Sequence, residues 1–150
     1  MIMGIDQSLT ETGFCIIEKG KIIEQGIIKP KTSGVKRLQE IRNKLLTIID
    51  KYKPTIIALE DYAYGTRNSR ATFSMGELGG VLKLAFLDKN QNYCIIQPAL
   101  LKKYVCGKGN AKKEQMLLQA YKKFGIEFQN NNLCDAYCLA SFVEHQSKVD

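Results

Sequence analysis

At 150 residues the chain has the length of one ordinary domain, and its 45% hydrophobic and 25% charged content sets aside fibrous, low-complexity and disordered classes. Charged residues interrupt every apolar run before membrane-spanning length, and the first residues lack the basic-then-apolar pattern of an export signal, so a cytoplasmic protein with no membrane partner is expected. The net charge of +7 favours polyanionic partners and is concentrated between Pro98 and Gly125, where Lys102, Lys103, Lys108, Lys112, Lys113, Lys122 and Lys123 face Glu114 alone.

In chain order, Ile2 to Asp6 reads as a strand, followed by a polar turn and by Thr12 to Ile17, which is rich in strand formers. Lys19-Gly20 is a hairpin turn before Ile22 to Ile28, so the first three strands form an antiparallel meander. From Val35 to Tyr52 apolar residues recur at helical spacing, at Val35, Leu38, Ile41, Leu45, Ile48, Ile49 and Tyr52. Pro54 ends that helix and introduces Thr55 to Glu60, an apolar run suited to a strand buried on both faces. After a polar, aromatic loop from Asp61 to Ser69, Thr72 to Leu87 is helix-like, with Phe73, Leu78, Val81, Leu82, Ala85 and Phe86 as its core face. Tyr93 to Ile96 is a short strand, Pro98 starts a short helix toward Tyr104, another helix opens at Asn110 or Ala111 and runs to Phe124, and a last one spans about Asn132 to Glu144. The order predicts a single α/β domain over 1–150, with a mixed five-stranded sheet made of the meander plus two parallel strands and flanked by helices.

Three acids sit where apolar side chains are expected: Asp6 and Glu60 at the ends of their strands, and Asp135 at the opening of Asp135-Ala136-Tyr137-Cys138-Leu139-Ala140. Buried acids are costly unless something cationic neutralises them, so a divalent metal site is the leading expectation. A helical crossover makes the Glu60 strand parallel to the Asp6 strand, which brings both acids to one sheet edge, the crevice where ligands bind in such sheets. Alternation puts Ile56, Ala58 and Glu60 on one face and Ile57, Leu59 and Asp61 on the other, which leaves Glu60 and Asp61 as alternatives. The five cysteines, odd in number and set mostly in apolar segments, read as reduced buried thiols; Cys134 and Cys138 lie one helical turn apart, but no second pair completes a zinc set.

Four ordered segments resemble RuvC-type Holliday junction resolvases: Gly4-Ile5-Asp6-Gln7-Ser8 with Thr12-Gly13-Phe14; Ile57-Ala58-Leu59-Glu60-Asp61; Gly107-Lys108-Gly109-Asn110-Ala111-Lys112-Lys113; and Asp135-Ala136 with Leu139-Ala140. The resemblance implies a ribonuclease H-like fold, a homodimer and Mg²⁺-dependent hydrolysis of phosphodiesters in a four-way DNA junction. It makes Asp6, Glu60 and Asp135 metal ligands, and places Lys102 and Lys113 where phosphate-contacting lysines stand. Asn132 replaces the acid or histidine that many relatives carry three residues before the helix aspartate, and can still ligate through its carbonyl oxygen or serve as a helix N-cap.

Carboxylates suit two hard ions, Mg²⁺ or Mn²⁺, one activating water and the other stabilising the departing 3′ oxygen, with Lys113 and Lys112 neutralising the scissile phosphate. The loop carrying Tyr62, Tyr64, Arg67 and Arg70 suits stacking on unpaired bases and holding phosphates; Tyr64 is the candidate wedge, with Tyr62 the alternative. With Lys102, Lys103, Lys108, Lys112 and Lys113 these residues form the expected DNA surface. An actin-like phosphotransferase needs two such domains around a nucleotide, so no nucleotide cofactor is expected. A non-catalytic branched-DNA-binding module, and a nuclease for flaps, forks or RNA hybrids, remain as alternatives.

Overall fold

The computed structural model describes residues 1–62 and 70–148. Strands β1 (Ile2–Asp6), β2 (Thr12–Glu18) and β3 (Lys21–Ile28) form the meander; α1 (Gly34–Tyr52) crosses to β4 (Ile56–Glu60), and α2 (Arg70–Asp88) to β5 (Tyr93–Ile96). Helices α3 (Pro98–Cys106), α4 (Lys113–Phe124) and α5 (Asn131–Gln146) complete the chain. The sheet order is β3-β2-β1-β4-β5, with β1 to β3 antiparallel neighbours and both β1·β4 and β4·β5 parallel. This is the mixed five-stranded sheet anticipated from element order. At the first hairpin Lys19 (φ 50°) and Gly20 (φ 76°) are both left-handed, as a two-residue turn matched to the sheet twist requires.

The period-2 pattern of the central strands sorts their side chains into two cores. Met3, Ile5, Phe14, Ile16, Ile57 and Leu59 pack under α1 and α2, where Leu38, Ile41, Leu45, Leu78, Leu82 and Phe86 meet them. Ile2, Cys15, Ile17 and Ala58 face α3, α4 and α5 instead. Glycine sets the distance on that second face. A methyl group on Gly4 would collide with the Ala136 carbonyl and one on Gly13 with the Asn132 carbonyl, so the backbone of α5 lies directly on β1 and β2.

Several expected boundaries and faces differ. Phe73, expected in the core, is 67% exposed, because α2 buries Leu78, Gly79, Leu82, Ala85 and Phe86 and turns Phe73 outward. Val35 is exposed one turn before the buried face of α1 begins at Leu38. Helix α2 starts at Arg70, so this arginine is helical rather than part of the loop. Helix α4 starts at Lys113, after Lys112 donates its backbone N–H to Gln115 Oε1 at 3.0 Å. Helix α5 begins at Asn131, capped by Asn130, whose Oδ1 accepts from the N–H groups of Asn132 (2.8 Å) and Leu133 (3.3 Å). Asp135 therefore stands beyond the first turn rather than opening the helix, outside the reach of the end dipole. Among the described residues no helix is long and apolar enough to cross a membrane.

Candidate active site

Parallel pairing of β1 and β4 runs from Ile2 and Ile56 to Ile5 and Leu59, and the next residue on each strand is Asp6 and Glu60. Both acids project to the α5 side, since Gly4 touches α5 and Ala58 belongs to the core beneath it. This decides between Glu60 and its neighbour as the acid in phase with Asp6. Asp61 accepts from the backbone N–H of Tyr62 at 2.9 Å through its Oδ1. The close seat of α5 brings Asp135 down to the same edge, and Lys102 of α3 and Lys113 of α4 reach it from the far wall. All five line one cavity of about 480 Å³, with Gln7, Asp61, Tyr62 and Asn132 also in its walls.

The electrostatics follow from that crowding. Burial, then the charge of Glu60, a hydrogen bond shared with it and the charge of Asp135 hold the Asp6 carboxyl far above the usual carboxylate range, with Lys113 opposing. Burial also raises Glu60, offset by the hydrogen bond to Asp6 and by Lys102 and Lys113. Asp135 is pushed up to about 7 by burial and by Glu60, against the pull of Lys113 and Lys102. A hydrogen bond between two carboxyl groups needs one proton, so the pair carries at most one negative charge while the bond is made.

Among the described residues no three His, Cys, Asp or Glu side chains are grouped as a ready ligand cluster. Asp6 and Glu60 are drawn together, and Asp135 acts on them through space. The donor chemistry nonetheless fits a hard dication: carboxylate oxygens from three separate elements, in a site where burial first and neighbouring acids second disfavour the charged forms, and no thiol or imidazole among the described cavity-lining residues. A proton and a divalent ion are alternative remedies for the same crowding.

Asn132 is not the cap of α5. Its Nδ2 donates to the Glu11 carbonyl at 3.0 Å, which orients the amide and assigns Oδ1 as the atom left for a further partner. Lys103, Lys108 and Lys112 are exposed and lie outside the cavity lining, as does Arg70. Tyr62 is in the wall, docked on α2: its ring fills the space where Gly79 lacks a side chain, its hydroxyl reaches the Gly76 carbonyl at 3.4 Å, and Lys83 Nζ stands 5.7 Å from the ring centre. Gly79 thus serves packing within the chain. Tyr64 and Arg67, the other loop candidates, lie outside the described residues. Gln7 is the residue that sequence reasoning passed over; its one signal was a polar side chain directly after the strand-end acid.

The family model described as crossover junction endodeoxyribonuclease RuvC matches residues 2–143. The chain belongs to the RuvC family. A RuvC of Ehrlichia canis is 31% identical over 145 residues, covering 93% of this chain and 92% of its own length. One from Chloroherpeton thalassium is 28% identical over 144 residues, covering 92% and 77%. Among solved structures, T. thermophilus RuvC in complex with Holliday junction substrate superposes with a TM-score of 0.82 at 18% identity, over 99% of this chain and 94% of that one. That likeness establishes a shared fold, the ribonuclease H-like arrangement of the RuvC nucleases.

Proposed function

We propose that this RuvC-family chain is a structure-selective endonuclease that resolves four-way DNA junctions, with Asp6, Glu60 and Asp135 holding divalent metal and Lys102 and Lys113 contacting the scissile phosphate. The observation that carries the reading is the convergence of those three acids, from β1, β4 and α5, with two lysines in one cavity at the carboxyl ends of parallel strands. Mg²⁺, or Mn²⁺ in its place, supplies charge neutralisation and activation of water when bound, with two ions per site the stoichiometry that the hydrolysis of a phosphodiester favours. Asp6, which feels the charges of both Glu60 and Asp135, would hold the metal together with them, and Asn132 Oδ1 would add a neutral oxygen. The lysines offset the phosphate charge that the carboxylates would otherwise repel. The exposed Lys103, Lys108 and Lys112 extend the positive surface along the arms of the DNA.

A homodimer suits a near-two-fold junction, and α2 offers the surface. Phe73, Leu84 and Leu87 are exposed on it at 67%, 59% and 68%, and Gly76 and Gly80 leave open space beside them. Small residues flanked by large apolar ones let two copies of a helix approach closely, and the carboxyl-end cavities of the two protomers then serve opposed strands.

The test is cleavage of labelled four-way junction, replication fork and linear duplex in Mg²⁺ by the native protein and by Asp6→Asn. Native cutting of the junction alone, lost in the variant with junction binding retained, supports the proposal. Binding without cutting by the native chain would move it to a non-catalytic binding module, and preferred cutting of the fork to a flap or fork nuclease.

A further inference from the structure

The segment from Lys29 to Arg37, between β3 and the buried face of α1, carries Lys29, Lys31, Lys36 and Arg37 and no acid. Strand register fixes where it stands. β1 and β3 both run antiparallel to β2, and Gly13 pairs with Asp6 on one side and with Ile27 on the other, so β3 ends at the same sheet edge as Asp6. The turn after Asp6 ties the segment to the cavity: Lys29 Nζ meets Glu11 Oε1 at 2.7 Å, and Arg37 Nη1 donates to the carbonyl of Leu9 at 3.4 Å, next to the cavity-lining Ser8. Helix α1 packs on the sheet face opposite α3, α4 and α5, so these cations flank the cavity on the side away from Lys103, Lys108 and Lys112.

The charge of this flank is uncompensated. Glu11 is taken by Lys29, and Glu40 by Lys44 at 2.8 Å and by the backbone N–H groups of Lys31 (3.0 Å) and Thr32 (3.3 Å). Among the described residues Lys31, Lys36 and Arg37 form no ion pair with a carboxylate. Lys36 and Arg37 stand in the first turn of α1, which holds no acid, although the positive end of a helix disfavours cations. Local stability argues against that placement, and a polyanionic partner accounts for it. Thr32, Ser33 and Gly34, between the lysines, are small and exposed, so a broad partner can approach closely.

We infer that Lys31, Lys36 and Arg37 form a second DNA contact surface, which grips the sugar-phosphate backbone of a duplex arm on the flank of the cavity opposite the α3 and α4 lysines. This rests on the junction reading above. Two inter-strand spacings, about 10 Å, separate β3 from β1, which is about three base pairs of B-form rise, so the contacts fall on the arm rather than on the scissile phosphate. Held on both flanks, the backbone is drawn across carboxylates that would otherwise repel it. Phosphate contacts of this kind set position and strength of binding and carry no sequence preference.

The experiment compares the native protein with the double variant Lys31→Ala and Lys36→Ala, both exposed, and with a second double variant, Lys21→Ala and Lys51→Ala, which removes the same net charge at the opposite edge, where β3 begins and α1 ends. Affinity for a four-way junction is titrated in a chelator at several salt concentrations, beside thermal melting. Loss of Lys31 and Lys36 is expected to lower the slope of log affinity against log salt by about two and to weaken binding on the order of 10-fold near physiological salt, with native melting. The Lys21 and Lys51 variant should keep the native slope. A native slope and affinity without Lys31 and Lys36 overturn the proposal, as does an equal loss in the Lys21 and Lys51 variant, which would mean that net charge acts rather than contact. Cleavage in Mg²⁺ by the native protein and by Asp6→Asn is read in parallel. If Asp6→Asn cuts like the native protein while the Lys31 and Lys36 variant loses slope, the active-site reading fails and the arm contact stands; an inactive Asp6→Asn beside a Lys31 and Lys36 variant that binds like native sinks only the arm contact.

Discussion

Asp135→Asn should make the protein more stable at pH 8 and leave it unchanged at pH 4, while abolishing cleavage. The Asp135 carboxyl is raised from 3.8 to about 7 by burial and by Glu60, so between those values the folded chain holds a proton that the unfolded chain has released. Stability contributed by that proton is fully present below 3.8 and is lost as pH rises toward 7, because deprotonation then has to occur inside the crowded cavity. At about 1.4 kcal/mol per pH unit the rise corresponds to on the order of 4 kcal/mol, and water at the cavity mouth reduces it to roughly 2 kcal/mol. Asparagine keeps the shape, carries no charge, and also removes one of the charges that hold Asp6 up. For a chain of this length ~2 kcal/mol corresponds to about 4–8 °C in Tm. The assay is thermal denaturation in a chelator at pH 4 and pH 8, repeated with added Mg²⁺, which should raise the native Tm at pH 8 and the variant's much less. A variant equally shifted at both pH values, or less stable than native at pH 8, would refute the electrostatic account of the site.

Gly4→Ala should both destabilise the chain, by about 1–3 kcal/mol as overpacking does, and slow junction cutting, because the new methyl meets the Ala136 carbonyl and lifts α5 with Asp135 off β1; melting and cleavage read the two effects. Lys102→Ala and Lys113→Ala should each lower the slope of log affinity against log salt by about one, measured by junction titration at several salt concentrations, since each removes one phosphate contact. Leu84→Glu should convert a dimer to a monomer in sedimentation with little loss of monomer stability, because the side chain is 59% exposed within the chain.

The strands and long helices could be read from the sequence because their signals are local. Alternation in β1 and β4, the Lys19-Gly20 turn and the 3.6-residue spacing of Leu38, Ile41, Leu45 and Ile49 each follow from backbone geometry within a few residues. Phe73 shows where that reading stops: it falls on a plausible apolar stripe of α2, but which stripe faces the sheet depends on where Gly79 accepts the Tyr62 ring, a contact between segments separated by the loop. Glu60 and Asp61 were likewise alternatives until the layer on each sheet face was known. Alternation assigns them to opposite sides, and only the seat of α5 says which of them is in phase with Asp6, although both line the cavity.

The half-paired amide of Gln7 could not have been read in advance for a related reason. A hydrogen bond from its Nε2 to a carbonyl 53 residues away is a product of strand register, and an unpaired acceptor is a property of what surrounds it rather than of the residue. Gly4 and Gly13 connect these observations. By letting α5 rest on the sheet they cover the acids and bring Asp135 into their field; burial first, then Glu60 and last Asp135, drives the Asp6 carboxyl upward. A fold optimised for stability alone would keep these acids apart. That the backbone is carved with glycine to press them together means the resulting electrostatic strain is relieved in use, by whatever cation and phosphate the cavity takes up, and the stability gained by neutralising Asp135 measures how much of that strain the resting protein carries.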